Sequence, residues 1–211
     1  MDLSRRTDYE GEPLLESQVA PDPVVQLRTW IEQAESTGLE EPNAIILATV
    51  DATGNPSARN VLLRGLDDHG LMQFFTNWES HKAHEIAANP NVSILFSWLS
   101  LKRQVRVTGY ASMLSDAECD DYFASRPRDA QIGAWASRQS TVISGREELE
   151  TLYEKMVERF GDGPVSRPPY WGGYSVTPTS FEFWQGRESR LHDRLYFWRH
   201  GDGWLMERLA P

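Results

Sequence analysis

The 211-residue sequence predicts a mainly β protein, a β-barrel with peripheral helices in a single domain, and three observations carry that reading. Five runs rich in branched and aromatic residues crowd into the stretch from Asn43 to Met113. Turn chemistry at ATGNP (52–56) and DDHG (67–70) joins neighbouring runs. Helical patterns interrupt or follow these runs instead of alternating with them, which argues against a βαβ enzyme.

Taken in order, residues 1–21 are polar and rich in charge and read as a mobile arm, leaving 22–211 as the domain. Asp22 and Pro23 form a helix start, with Val24, Leu27, Trp30 and Ile31 on one face and Gly38 as the stop. NAIILATVD (43–51), SARNVLLRGL (57–66), LMQFFTN (71–77), NVSILFSW (91–98) and KRQVRVTGYASM (102–113) read as strands of a meander curling into a barrel. A short helix, SHKAHEIAAN (80–89), interrupts them. Helices follow at SDAECDDYFASR (115–126), from Arg128 onward, and at GREELETLYEKMVERFG (145–161), the last stopping on a glycine. WGGY (171–174) reads as a loop turning into a strand. SFEFWQG (180–186) and RLYFWRHGDGWLMERL (194–209), with its GDG turn, close the sheet.

A hydrophobic fraction of 40% with 11% aromatics supplies a core. The single Cys119 cannot pair within the chain, and no Cys or His spacing suits zinc, so a reducing, cytoplasmic setting is expected. AIILATV (44–50) is too short to span a bilayer, and MDLSRRTDYEGEP lacks the apolar stretch of a signal peptide. A net charge of -10 argues against a broad nucleic-acid surface. No nucleic-acid or membrane partner is expected.

No GxGxxG follows a strand, and P-loop, HExxH and GxSxG patterns are absent. His81 and His84 lack a third ligand nearby and read as a solvated helix face, so no metal is expected. Acidic neighbours of Cys119 raise a thiol pKa and argue against a catalytic thiolate. What stands out is cationic: eighteen Arg against three Lys. Arg59 and Arg64 bracket NVLL, Lys82 sits on the short helix, and Arg126 and Arg128 bracket a proline. FWQGRESRLHDR (183–194) places Arg187, Arg190, His192 and Arg194 within eight residues. Singly these read as surface ion pairs of small worth; as a set they suit phosphate, because the guanidinium is a planar, forked, permanently charged donor.

RNVLLR (59–64), FFTNWESHKAHEI (74–86), RQVRVTG (103–109), YFASRPRDAQIGAWASRQS (122–140), FWQGRESRLHDR and the final ERLAP resemble, in order and spacing, the motifs of the pyridoxamine 5'-phosphate oxidase family. The resemblance runs from about Arg6 to the end of the chain. It implies an FMN-binding split β-barrel, a homodimer with FMN at the subunit interface. The implied reaction oxidises pyridoxine 5'-phosphate or pyridoxamine 5'-phosphate to pyridoxal 5'-phosphate, with O2 as acceptor giving H2O2. By matching motif, Arg59 and Lys82 hold the FMN phosphate. Asn60, Val61, Leu62, Leu63, Arg64, Phe75, Thr76, His81, Gln104, Gln139, Ser140, Trp184 and Arg194 line the rest of the flavin site. Arg64, Tyr122 and Arg126 take the substrate phosphate, beside Ala130. Arg190 and His192 are the implied catalytic pair over the pyridine ring, His192 donating to or accepting from the substrate hydroxyl. Arg6 and Tyr9 close as a lid.

Four positions depart from the family pattern: Arg64 stands for lysine, His81 for arginine, Ala130 for serine and Phe75 for tyrosine. Two alternatives stay open: a split-barrel FMN oxidoreductase acting on a different small molecule, and a non-catalytic protein that holds FMN or pyridoxal phosphate.

Overall fold

The computed structural model describes residues 8, 9 and 11–211. Arg6, expected in the lid, lies outside them. Helix α1 (Pro23–Ser36) starts where Asp22 accepts from the Val24 amide at 2.8 Å, with Pro23 in the first turn. It lays Leu27, Trp30 and Ala34 on the sheet, Trp30 meeting Phe183 edge to face at 5.3 Å.

Nine strands make one antiparallel sheet: β1 (Ala44–Val50), β2 (Pro56–Leu62), β3 (Gly65–Leu66), β4 (Met72–Asn77), β5 (Asn91–Trp98), β6 (Arg103–Met113), β7 (Trp171–Gln185), β8 (Asp193–His200) and β9 (Gly203–Arg208). Helix α2 (His81–Ala88) lies between β4 and β5, while α3 (Asp116–Ser125), α4 (Arg128–Ala136) and α5 (Arg146–Phe160) separate β6 from β7. The mainly β class with peripheral helices is therefore what the chain adopts, as a split barrel. Phe74, Phe96, Phe181, Phe183, Phe197, Ile45, Leu47 and Ile94 fill its interior with almost no exposure. Phe123, Ile132, Val165 and Trp171 form a second cluster under α3 to α5.

The connectivity corrects the expected meander. The sheet order is β2-β1-β5-β6-β7-β4-β3, with β8 on β7 and β9 on β8. Because α2 carries the chain away after β4, β5 returns to pair with β1, and β4 is left to pair with β7. The expected single strand over 57–66 is two, broken where Leu63 donates to Asn43 and Arg64 donates to Gln73. WGGY and SFEFWQG, read as a loop and a separate strand, belong to one fifteen-residue strand, and the closing run is a two-strand hairpin.

Pro178 hid that continuity. A proline is admitted within a strand only where no ladder donor is needed, and here a bulge supplies the place. The register slips between Thr108 and Gly109, which pair with Ser180 and Pro178, and the extra residue Thr179 returns its hydroxyl to the Thr108 carbonyl at 3.1 Å. At Gly109 the two backbones come so close that a Cβ would sit 2.2 Å from the Thr177 carbonyl oxygen.

Within residues 1–21 the described segment is tied to the body at particular points. Leu14 is buried in the main core, and Arg208 holds Glu16 through two bonds of 2.7 and 2.8 Å. Among the described residues no helix is long and apolar enough to cross a membrane.

The bulge yields the first prediction. Gly109→Ala has to push backbone against backbone, which side-chain rotation cannot relieve, so urea unfolding should show a loss of about 1–3 kcal/mol with an unchanged m-value. An unchanged midpoint would mean that the two strands separate there at no cost.

Candidate functional site

A cleft of about 660 Å3 opens between the edge strand β2, the end of β4 and helices α2 to α4. Arg59, Asn60, Val61, Leu62 and Arg64 reach it from β2 and the break after it, Phe75 and Thr76 from β4, Lys82 from α2, Tyr122 and Arg126 from α3 and its cap, Ala130 from α4, and Gln139 from the following loop. Its wall holds four cations, Arg59, Arg64, Lys82 and Arg126, and no carboxylate among the described residues. In a chain of charge -10 this is a local inversion of sign.

Beneath the cations sits Glu85, 3% exposed. Its carboxylate accepts from Ser57 at 2.6 and 2.8 Å, from Thr49, and from Arg59 at 3.0 Å. Burial pushes this carboxyl up, but the hydrogen bonds from Ser57, Thr49 and Arg59, with the Arg59 charge, outweigh it and hold it below its ordinary value. Arg59 is thereby fixed, bonding also to the Leu47 carbonyl at 3.2 Å. Lys82, by contrast, bonds only neutral oxygens: Gln139 at 2.5 Å, Thr76 at 3.0 Å and Ser80 at 3.3 Å. Burial first and the Arg59 charge second bring its ammonium down to about 8, against a partial restoring pull from Glu85.

Arg126 lies over Trp171, its guanidinium carbon 4.6 Å from the ring centroid, with one buried nitrogen, Nη1, making no hydrogen bond among the described residues. Burial lowers its pKa and the neighbouring Arg64 charge adds to the effect. The Asn77 amide nitrogen, in the same wall, is likewise unpartnered. Unsatisfied buried donors cost stability, and donors left unpaired beside a cationic cleft fit an anionic ligand. Phe75 and Tyr122 stack at 3.7 Å with Trp171 parallel behind them, giving the cleft a flat aromatic wall. Gly173 permits this, since a Cβ there would fall 2.8 Å from the Phe75 ring.

A second group gathers at the other end of β7. Gln104 pairs in register with Trp184, and Trp184 with Arg194. His192 lies 4.7 Å from the Trp184 ring and 5.6 Å from Tyr9. Its Nδ1 accepts from the Arg187 amide at 3.0 Å, and burial followed by the Arg190 charge lowers its pKa. Ser189 and Arg190 both hold positive φ, 54° and 61°, in the left-handed region that non-glycine residues occupy at a cost of roughly 1–2 kcal/mol each. The turn leaves the Arg190 side chain in solvent.

The sequence-predicted residues thus fall into two sets. Arg59, Asn60, Val61, Leu62, Arg64, Phe75, Thr76, Lys82, Tyr122, Arg126, Ala130 and Gln139 share the cleft. His81 and Ser140 meet at its rim, the His81 amide donating to the Ser140 hydroxyl at 3.2 Å. Leu63 turns into the core behind the cleft instead of lining it. Gln104, Trp184, Arg190, His192, Arg194 and Tyr9 form the second set. Trp171 to Trp184 is thirteen residues of extended chain, about 40 Å along the strand. Sequence reasoning missed Glu85, Asn77 and Trp171. Glu85 stood inside a quoted motif, but only the packing shows that its face of α2 is the buried one.

A family model described as pyridoxamine 5'-phosphate oxidase matches residues 31–159, and one described as the pyridoxine 5'-phosphate oxidase C-terminal dimerisation region matches 171–211. A pyridoxine/pyridoxamine 5'-phosphate oxidase of Rubrobacter xylanophilus is 52% identical over 98% of this chain and 94% of its own length. The structure of PhzG from Burkholderia lata, in complex with tetrahydrophenazine-1-carboxylic acid, superposes with a TM-score of 0.88 at 28% identity, over 95% of this chain and 99% of that one. A pyridoxamine 5'-phosphate oxidase-related, FMN binding protein of Nostoc punctiforme shares the fold, with a TM-score of 0.71 at 18% identity over 95% of this chain and all of its own.

The Lys82 environment sets a pH dependence. With its pKa brought down from 10.5 to about 8, the free cleft keeps this cation below pH 8 and loses it above. Affinity for a phosphorylated ligand should hold steady from pH 7 toward 8 and then fall, approaching tenfold per pH unit, with proton uptake on binding near pH 9. Calorimetry in buffers of different ionisation enthalpy measures both. Lys82→Met should weaken binding at pH 7 and flatten the profile; a profile as steep as the parent's would show that another group titrates.

Proposed function

Because the chain belongs to the pyridoxamine 5'-phosphate oxidase family, we propose that it oxidises pyridoxine 5'-phosphate or pyridoxamine 5'-phosphate to pyridoxal 5'-phosphate with FMN as cofactor. The observation that carries this reading is the carboxylate-free cleft with its four cations and unpartnered Arg126 and Asn77 donors, which suits two phosphorylated ligands side by side. FMN, when bound, supplies the two-electron acceptor, which O2 restores with release of H2O2.

Arg59 and Lys82 hold the FMN phosphate in this assignment, Arg59 oriented by Glu85. Asn60, Val61, Leu62, Phe75, Thr76, His81, Gln139 and Ser140 line the flavin. Arg64, Tyr122 and Arg126 bind the substrate phosphate, the Arg126 guanidinium held over Trp171 with one nitrogen that has no partner among the described residues. Gln104, Trp184, Arg190, His192 and Arg194 lie too far along β7 to complete the same site within one chain. A homodimer in which a second copy brings them over the cleft resolves the distance, and the match of 171–211 to a dimerisation region supports it.

Arg190 then lies over the pyridine ring, where its guanidinium fixes the ring's orientation so that the exocyclic carbon faces the flavin. His192 bonds the exocyclic substituent, and both copies exclude water from the reacting atoms. Residues 1–21, with Arg6 and Tyr9, serve as the lid of the domain that spans 22–211. The cytoplasm is the compartment that suits this chemistry.

A second reading keeps the flavin and changes the substrate. The likeness to PhzG favours it, as does Ala130, whose methyl group offers the cleft no hydroxyl. Ala130→Ser separates the two: it should tighten pyridoxine 5'-phosphate by roughly two- to tenfold under the first reading, the worth of one neutral hydrogen bond, and leave it unchanged under the second.

The decisive experiment is anaerobic. Adding pyridoxine 5'-phosphate to the FMN-loaded protein should bleach the flavin while pyridoxal 5'-phosphate absorption grows in; a flavin that stays oxidised with both B6 phosphates overturns the assignment. Arg190→Ala should slow that bleaching on the order of a hundredfold while FMN affinity stays within a few-fold of the parent.

A further inference from the structure

We infer that His192 serves the reaction as a hydrogen-bond donor through Nε2, with its tautomer fixed by the Arg187 backbone amide, and that it takes no proton from the substrate. This rests on the oxidase reading and assigns the chemical role that the histidine plays within it.

A neutral imidazole carries one N–H and one lone pair, on different nitrogens. The Arg187 amide can only donate, and it lies 3.0 Å from His192 Nδ1. Nδ1 therefore presents its lone pair inward, and the hydrogen of the neutral ring belongs to Nε2. The ring is held in that pose on its faces as well, against Trp184 at 4.7 Å and Tyr9 at 5.6 Å. The anchor itself is rigid: the Arg187 side chain bonds the Gly11 carbonyl and lies 3.6 Å from the Asp193 carboxylate, which Arg208 holds at 2.6 Å. Burial first and the Arg190 charge second disfavour a second proton on the ring, while Asp193 is occupied by Arg187, Arg208 and the Leu14 amide.

A base at Nε2 would need the lone pair there, and so a hydrogen on Nδ1 facing the Arg187 N–H. Two donors would then oppose one another, and a part-buried amide would lose its acceptor. The site selects instead for a substrate atom that offers a lone pair to Nε2–H. The hydroxyl oxygen of pyridoxine 5'-phosphate does, and so does the amine of pyridoxamine 5'-phosphate when neutral; its ammonium does not. His192 is on this account a selector for the unprotonated amine as well as an orienting contact.

Two measurements test this on the FMN-loaded protein. Nitrogen-15 NMR of histidine-labelled protein should show His192 with a bare Nδ1 and a protonated Nε2 at neutral pH; a protonated Nδ1 overturns the inference. In the second, the amide nitrogen of glutamine reaches the place of Nε2, whereas that of asparagine reaches only Nδ1. His192→Asn and His192→Ala should each lower kcat/KM for pyridoxine 5'-phosphate by roughly tenfold, and His192→Gln should recover most of that loss. Glutamine no better than asparagine overturns the donor role. Failure of the oxidase reading is recognised separately, because the parent protein would then reduce no flavin with either B6 phosphate while the NMR result stood.

Discussion

Everything in this molecule hangs on β7. It pairs with β6 along nearly its whole length on one edge, and on the other with β4 through its first half and β8 through its second. A strand with two successive partners on one edge cannot stay in a flat sheet, so the sheet splits there, and the bulge at Thr179 and Gly109 gives the bend a place to occur. The buried aromatics along β7, Phe181 and Phe183 with Tyr174, face the interior that this curvature creates. The same strand carries Trp171 into the cationic cleft and Trp184 to His192. One element thus sets the fold and carries both groups of residues, and its length separates them along the chain.

The cleft follows a different constraint, the cost of gathering positive charge away from water. Glu85 solves it for Arg59: a buried carboxylate satisfied by two hydroxyls and a guanidinium offsets its own desolvation, so that this corner is neutral and preorganised before any ligand arrives. Lys82, Arg64 and Arg126 are left without such compensation, and the lowered pKa values of Lys82 and Arg126 record the cost. A bound phosphate would reverse both shifts. The site is therefore least favourable to the protein when empty, as a site built for binding an anion should be.

How far the sequence foretold this depends on the range of the interaction. Local signals were legible: the Asp22 cap and Pro23, the helix within 115–126, the helix ending at Gly161, and the outline of β1, β4, β5 and β6. Pairings were not, because nothing local says that β4 seeks β7 across nearly a hundred residues or that Pro178 can sit inside a strand where Gly109 makes room. For the site, twelve of the residues that motif resemblance named share the cleft. That resemblance could not show that Trp184, Arg190, His192 and Arg194 lie elsewhere, since order along the chain carries no distance. Nor could it weigh Glu85, whose role comes from being buried under Arg59.

The turn at 186–192 shows how strain and anchoring combine. Two consecutive left-handed residues, Ser189 and Arg190, would relax in a free loop. They persist because both flanks are tied down, on one side by Gly186 donating to the Lys102 carbonyl and on the other by β8 entering the sheet at Asp193. Asp193 in turn belongs to the ion-pair group of Arg208 and Glu16, with Leu14 buried beside it, so the docked part of the arm and the C-terminal strand brace the same turn. Contacts remote from the Arg190 side chain thus keep the turn in place, and the Arg187 amide with the Trp184 and Tyr9 rings keeps His192 facing one way. That arrangement leaves Arg190 exposed and His192 Nε2 free for a ligand, because on the histidine only Nδ1, which accepts from the Arg187 amide, is used to hold the turn together.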